Sequence, residues 1–479
     1  MATPVDEAER ANKWVVLALS GTATFMTTLD SSIVNIGLPS IARAFGVQLS
    51  GTIEWVLIGY LVVIATFLLS FGRLADMLGR KPVFLAGLAV FTLGSALCGA
   101  APSLGALIAA RCFQGLGAAG ILSVNVAMIT RSFPAAERGR ALGINMVLLA
   151  LGVSVGPTVG GILTQALSWR WIFYVNVPIG ALAMLAAWHQ LTERAHFERQ
   201  HFDLPGAALI AVGIAALTIS LSFGQEWGWT SLRVVGSIAI AIAALAGAAH
   251  VERRVPAPVL RPDLLRNRVF VLANVSFMLS MLALFAVGFL LPFYLEELQG
   301  YNAQTSGLLL TPLSLTIAVV APLSGTLADR VGSRWLAPVG LAISCAGLLM
   351  LSELDRASSI AYLVACLIVT GIGQGLFQSP NTRAVMEAAP HDEQGVASGT
   401  LATARVFGQS LSIAVAGAVF ASLGGAAAGA ALENGRTLGG EQLQALEQTF
   451  VTSLRTAFIV CAVLAALGVL AALGRGKRS

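Results

Sequence analysis

Asp30 and Arg111 are charges set where water is scarce. Each lies inside a long apolar run, Asp30 between Trp14 and Pro39 and Arg111 between residues 104 and 129. A charge near the centre of a membrane helix costs at least about 2.5–3.5 kcal/mol on insertion scales, and such residues usually mark ion or substrate paths. A buried carboxylate can be neutral or ionised according to its access to protons, which is what a proton carrier needs. A guanidinium keeps its proton, so Arg111 is the natural counterion, favouring the ionised acid when close and releasing it when withdrawn. Gln114 lies one turn away on the same helix face. By residue type alone, a permanently paired structural Asp and a helix-linking Arg fit the same positions. Arg405 is the second cation in an apolar stretch, with no carboxylate assignable to it. A structural role and contact with an anionic substrate group fit it equally.

Other polar and aromatic residues could line a cavity for amphipathic molecules: Asn35, Tyr60, Gln114, Asn125, Asn145, Phe285, Phe377 and Gln378. Most aromatics in so apolar a chain face lipid or neighbouring helices. Glu54, beside Trp55, reads as a solvated interfacial residue or as an outer site for cations. No GxxxxGK[ST] or HExxH pattern occurs, and the five cysteines are scattered through apolar stretches without ligand spacing. Neither a metal site nor an enzyme is expected. A membrane sensor or membrane enzyme is the remote alternative.

Apolar residues make up 56% of the chain and charged residues only 11%, against roughly 25% in ordinary soluble domains. Lipid must therefore solvate much of it. Fourteen segments reach the ~20 apolar residues that a membrane helix needs: 14–36, 52–72, 82–101, 104–129, 137–163, 172–190, 205–223, 232–250, 268–293, 305–326, 335–352, 358–379, 395–422 and 452–474. An even number puts both termini on one side. With that side cytoplasmic, 21 of the 29 Lys and Arg fall in cytoplasmic segments, the bias expected of an inner-membrane protein. The positive net charge thus reads as topology, with no nucleic-acid partner implied. The loops leave no room for a soluble catalytic domain.

The chain also repeats itself. Gly72-Arg-Leu-Ala-Asp76-Met-Leu-Gly79 recurs as Gly325-Thr-Leu-Ala-Asp329-Arg-Val-Gly332, an offset of 253 residues (325 − 72). Gly115, Gly117, Ser123 and Asn125 match Gly371, Gly373, Ser379 and Asn381 at an offset of 256 (371 − 115), and Gly139, Gly143 and Gly152 match Gly395, Gly399 and Gly408 at the same offset. This predicts an all-α membrane protein of two parallel six-helix bundles, 1–190 and 267–479, with two inserted helices at 205–250. Gly152, Gly156 and Gly160 form one smooth helix face, next to Pro157 and Gly161. Such a face lets another helix approach closely, as generic packing or as a moving seam.

These motifs resemble those of the major facilitator superfamily. Gly72 to Lys81 is similar to its cytoplasmic signature, and Arg111-Cys-Phe-Gln114-Gly115 to the helix-four motif of its proton-coupled members. Gly152 to Gly161 resembles the antiporter motif of helix five. Leu29-Asp30 to Pro39 and Trp169 to Pro178 resemble signatures of the fourteen-helix drug:proton antiporter branch. Met77 stands where the family often has Arg, and no carboxylate lies deep in the C-terminal half. The resemblance implies a cofactor-free exporter driven by the proton gradient, acting on amphipathic drugs, cations included, as a monomer in the cell membrane. An exporter of an endogenous metabolite or self-made antibiotic fits the same motifs. It also implies a conformational latch in Gly72, Arg73, Asp76, Gly79 and Arg80 with Asp329 and Arg330. Residue type alone would also fit a topogenic loop.

Overall fold

In lipid every backbone N–H and C=O must find a partner within the chain, and an apolar run achieves this by becoming a helix. The computed structural model describes residues 12–46, 53, 55–192, 203–252, 262–301, 303–331, 333–390, 393–434 and 440–475, and among these it is helical with no strand. In chain order the helices are α1 Lys13–Phe45, α2 Trp55–Leu78, α3 Arg80–Ala100, α4 Leu104–Ser132, α5 Arg138–Ala166, α6 Trp171–Tyr174, α7 Asn176–Gln190, α8 Leu204–Trp227 and α9 Leu232–Glu252. They continue as α10 Pro262–Arg266, α11 Arg268–Phe293, α12 Ala303–Val331, α13 Ser333–Ser352, α14 Ile360–Ala388, α15 Gln394–Ser422, α16 Gly425–Asn434 and α17 Gly440–Leu473. Side chains that accept from backbone N–H groups mark several starts: Ser103 for α4, Asp203 for α8, Asn267 for α11 and Ser359 for α14. Gly79 turns α2 into α3 at φ 102°, a conformation open to glycine.

Among the described residues, eleven helices are long and apolar enough to cross a bilayer. The long helices outside that group are α1, α5 and α15, which carry Asp30, the Gly152–Gly161 run and Arg405. The stretch at 172–190 is broken, with α6 and α7 meeting at Val175. The loop at 423–449 is partly helical, because α16 fills it and α17 begins at Gly440 rather than near 452. Phe450, fully buried, packs edge-on against Phe420 at 5.2 Å, so the polar start of α17 still buries one face.

Some contacts recur at the offsets found in the sequence. A Cβ on Gly152 would meet the Phe25 carbonyl of α1, and one on Gly408 the Met278 carbonyl of α11. Asn125 Nδ2 donates to the Ser20 carbonyl at 2.7 Å, and its match Asn381 donates to the Ala273 carbonyl at 3.2 Å. The recurrent Asn thus ties α4 to α1 and α14 to α11. The two copies also meet reciprocally at the end where α2 turns into α3. A Cβ on Gly72 would touch the Gly395 carbonyl, and one on Gly325 would collide with the Gly139 carbonyl. Lengthening either glycine must separate helices whose backbones are in contact.

The hairpin of α8 and α9 packs through α8 on α2 and α15. Phe223 stacks on Trp55 at 5.0 Å and on Trp227 at 4.8 Å. Beyond α17, Arg475 enters between α11 and α14 to donate to Ser276 and Asn381. Burial pushes its guanidinium down to about 10, leaving it charged at neutral pH.

Gly325→Val should force α12 from α5 and open the α2–α3 end. Overpacking of this kind typically costs about 1–3 kcal/mol. The expected outcome is faster maleimide labelling of a cysteine placed at the fully buried Ala321, and unchanged labelling would refute the contact.

Candidate functional site

Asp30 sits near the middle of α1 with its side chain fully buried, and α4 and α7 aim polar groups at it. From α4, Arg111 Nη1 donates to Asp30 Oδ2 at 2.7 Å. Gln114 Nε2, one turn further on, donates to Oδ1 at 2.9 Å. Asn176 Nδ2, at the first residue of α7, donates to the same oxygen at 2.9 Å. Gln114 also links to Arg111 Nη1 through its Oε1 at 2.6 Å and to Ser95 Oγ of α3 at 2.8 Å. Arg111 Nε donates to the Val56 carbonyl of α2 at 2.9 Å, and its guanidinium lies 4.2 Å from the Tyr60 ring centroid. Asp30, Arg111, Gln114 and Asn176 are all 0% exposed.

Local sequence explains the convergence. Gly94 lets α3 approach the Gln114 backbone, where a Cβ would come within 2.7 Å of Gln114 Cα. Gly115 does the same between α4 and the Tyr60 carbonyl, at 2.9 Å. Arg170 donates to the Gly99 and Ala101 carbonyls at 2.9 and 2.8 Å, neutralising the C-terminal end of α3 and anchoring the turn that presents Asn176. A buried ion pair is tolerated only when its remaining hydrogen-bonding capacity is satisfied. Here both carboxylate oxygens are used, while Arg111 Nη2 and Asn176 Oδ1 have no partner among the described residues.

The glycine face of α5 lies on α1 around Asp30. A Cβ on Gly152 would collide with Thr28 Oγ1, one on Gly156 with Ser32 Oγ, and one on Gly160 would lie 2.8 Å from Ile33 Cγ1. Ser32 Oγ donates to the Gly152 carbonyl at 3.0 Å across this contact. Gly161 is not part of it, because a Cβ there meets nothing within 4 Å.

Asp76 acts in trans on the other copy. Its Oδ1 accepts from Gly395 N at 2.9 Å and its Oδ2 from Val396 N at 3.0 Å, capping α15, whose own Glu393 makes no side-chain cap. Arg80 Nη2 donates to Asp76 Oδ1 at 3.1 Å. Arg73 is buried, and Arg330 is exposed in the last turn of α12. Glu54 lies outside the described residues, as do the side chains of Asn35, Pro157 and Asp329.

The other candidates separate. Asn125, Asn145 and Arg405 line one cavity with Thr24, Leu122, Val126, Ser398, Leu401 and Ala402, between α1, α4, α5 and α15. Its free volume is about 20 Å³, room for about one water. Tyr60 and Gln114 belong to the Asp30 cluster instead. Phe377 is fully buried against Phe277, with ring centroids 6.4 Å apart. Gln378 bonds Gln374 at 3.4 Å, and Phe285 is 41% exposed on α11. Residue-type reasoning passed over Asn176, Ser95, Thr24 and Ser398. Asn176 had one signal: it is an amide inside the Trp169–Pro178 motif.

The family model described as Major Facilitator Superfamily matches residues 21–412 and, again, 273–478. The chain is 36% identical over 409 residues to the multidrug resistance protein Stp of Mycobacterium tuberculosis (strain CDC 1551 / Oshkosh), covering 85% of this chain and 76% of that one. It is 33% identical to the riboflavin transporter RibZ of Clostridioides difficile (strain 630), covering 86% and 88%. The crystal structure of the human organic anion transporter MFSD10 (TETRAN) superposes with a TM-score of 0.64 at 16% identity, covering 96% and 99%, a likeness of fold alone.

Two substitution sets test the geometry. Gly156→Leu should drive α1 from α5 and abolish turnover, whereas Gly161→Leu, pointing into open space, should be tolerated; equal activity in reconstituted vesicles would reduce the face to generic packing. Asp76→Ala removes a cap worth about 0.5–2 kcal/mol. Cysteines near Gly395 should then label faster, and unchanged labelling would argue against a latch.

Proposed function

The chain belongs to the major facilitator superfamily, and from that premise we propose a proton-coupled exporter of amphipathic organic compounds, cations included, working by alternating access. It is a multi-pass membrane transporter rather than an enzyme. The observation that carries the finer reading is the Asp30 cluster: an acid with its counterion, both sealed from solvent, on the helix that the glycine face of α5 grips. Likeness to a multidrug resistance protein favours drugs as substrates, and likeness to a riboflavin transporter favours a metabolite as the second reading.

The proposed topology is the fourteen-span branch, with bundles 1–190 and 267–479, inserted helices 205–250, both termini cytoplasmic and the monomer as working unit in the inner membrane. The α2–α3 end is then cytoplasmic. The contacts of Asp76 with α15 and of Gly325 with α5 hold it closed, the outward-facing arrangement.

A proton arriving at Asp30 from outside turns the carboxylate into a carboxylic acid. The ion pair with Arg111 is lost, while Gln114 and Asn176 can still donate to the remaining carbonyl oxygen. Arg111 keeps Val56, Gln114 and the Tyr60 face. Removing one charge of a buried pair is worth about 3–5 kcal/mol, enough to bias a two-state equilibrium by two orders of magnitude or more. Substrate leaves outward as the proton binds. The proton departs inward once the other face opens.

Asn at position 30 imitates the protonated acid. Asp30→Asn should bind substrate within about threefold of wild type yet lose ΔpH-driven accumulation in proteoliposomes. Undiminished coupled transport by this variant sinks the proton assignment, and a panel of drugs and flavins in the same vesicles decides between the two substrate readings.

A further inference from the structure

Arg405 is a guanidinium on α15 that lines the cavity between the two repeat copies. Among the described residues no carboxylate pairs with it. Its guanidinium lies 5.7 Å from the centroid of the Phe277 ring. Nor does any acidic side chain line the cavity. Asp30, the nearest acid along α1, already has both oxygens engaged by Arg111, Gln114 and Asn176. Arg405 is half-buried on the cavity wall, and an anion brought to a cation without a counter-charge is bound strongly where the surroundings have a low dielectric.

The neighbouring polar atoms extend the same donor set. Asn145 Oδ1 is taken by the Thr24 hydroxyl at 3.0 Å, which leaves its Nδ2 hydrogens with no partner among the described residues. Asn125 is oriented by its Nδ2 bond to Ser20, and its buried Oδ1 has no partner among the described residues. The site therefore offers a cation and an amide donor for an anionic group, and next to them one unfilled acceptor for an O–H or N–H. Leu122, Val126, Leu401 and Ala402 supply the apolar wall.

We propose that this cavity binds amphipathic organic acids, with the ionised group held between Arg405 and Asn145 and an adjacent hydroxyl or amide donating to Asn125. The proposal rests on the export reading and adds to its amphipathic substrates, cations included, a class that bears a negative charge. Arg405 and Asn145 belong to different repeat copies, so the acidic group would bridge the surfaces that separate in alternating access. The cavity of about 20 Å³ must widen as they part for the apolar remainder to enter. The repeat partner of Arg405 is Leu149 (405 − 256), so the charge belongs to one copy and the site is single.

The test uses full-length protein in detergent and in proteoliposomes, with pyrenebutyrate, its neutral methylamide and its trimethylammonium analogue. In detergent, wild type should bind the carboxylate about tenfold or more tighter than the methylamide, the span expected of charge-assisted hydrogen bonds. Arg405→Gln should bring that ratio close to one, and Arg405→Lys, which keeps the charge but loses the fork, should retain part of it. Acetate and chloride should each bind at least about tenfold more weakly than the full probe because the apolar wall stays idle. No preference in wild type, a ratio unchanged in Arg405→Gln, or chloride binding as tightly as the probe would each overturn the proposal. Transport is a separate readout. If no probe moves with the pH gradient but binding keeps its Arg405 dependence, the exporter reading fails and the anion site stands.

Discussion

Everything in the first repeat copy is arranged around one constraint: a carboxylate on α1 is buried completely and must be answered by donors from other helices. Arg111 answers one oxygen, and Gln114 and Asn176 answer the other. Those donors can arrive only if α3, α4 and α7 pack unusually close, which is why glycines stand where they touch. Gly94 admits Gln114, Gly115 admits Tyr60, and the Gly152–Gly156–Gly160 face brings α5 against α1. The cluster and the close packing are the same device seen from two sides.

The second interaction works at a distance from the first. Asp76 caps α15 across the interface between the copies, and Gly72 and Gly325 put backbones of α2 and α12 against α15 and α5. The α5 helix therefore takes part in both systems, gripping Asp30's helix along its middle and meeting α12 near its start. A shift of α1 relative to α5 is physically connected to the closed end. The cavity lined by Arg405 lies between the two systems, bounded by α1, α4, α5 and α15.

Much of this was legible in the residues. Long apolar runs fall where the long helices lie, because lipid leaves the backbone no alternative. The 253- and 256-residue offsets reappear as paired contacts, Gly152 on Phe25 with Gly408 on Met278, and Asn125 on Ser20 with Asn381 on Ala273. Asp30 and Arg111 stood out because charge in an apolar run is expensive, and they are found 2.7 Å apart. The helical start of α17 and the break before α7 were not legible. They depend on Phe450 finding Phe420 and on Arg170 reaching the end of α3, and those partners are far away in the chain.

By itself, then, the sequence determined the class of the protein, the rhythm of its helices, the duplication and the identity of the buried charged pair. Those follow from composition and spacing, which act locally or repeat at a fixed interval. Only the tertiary structure decided that Asn176 completes the Asp30 cluster, that Gly161 lies outside the glycine contact, and that Asp76 caps a helix of the opposite copy. It also sorted the candidate lining residues, sending Tyr60 to Arg111 and Phe377 to the core while leaving Arg405 with Asn125 and Asn145. The reason is that a polar side chain's role is set by the atoms that reach it. For these residues they come from helices 50 to more than 300 positions away.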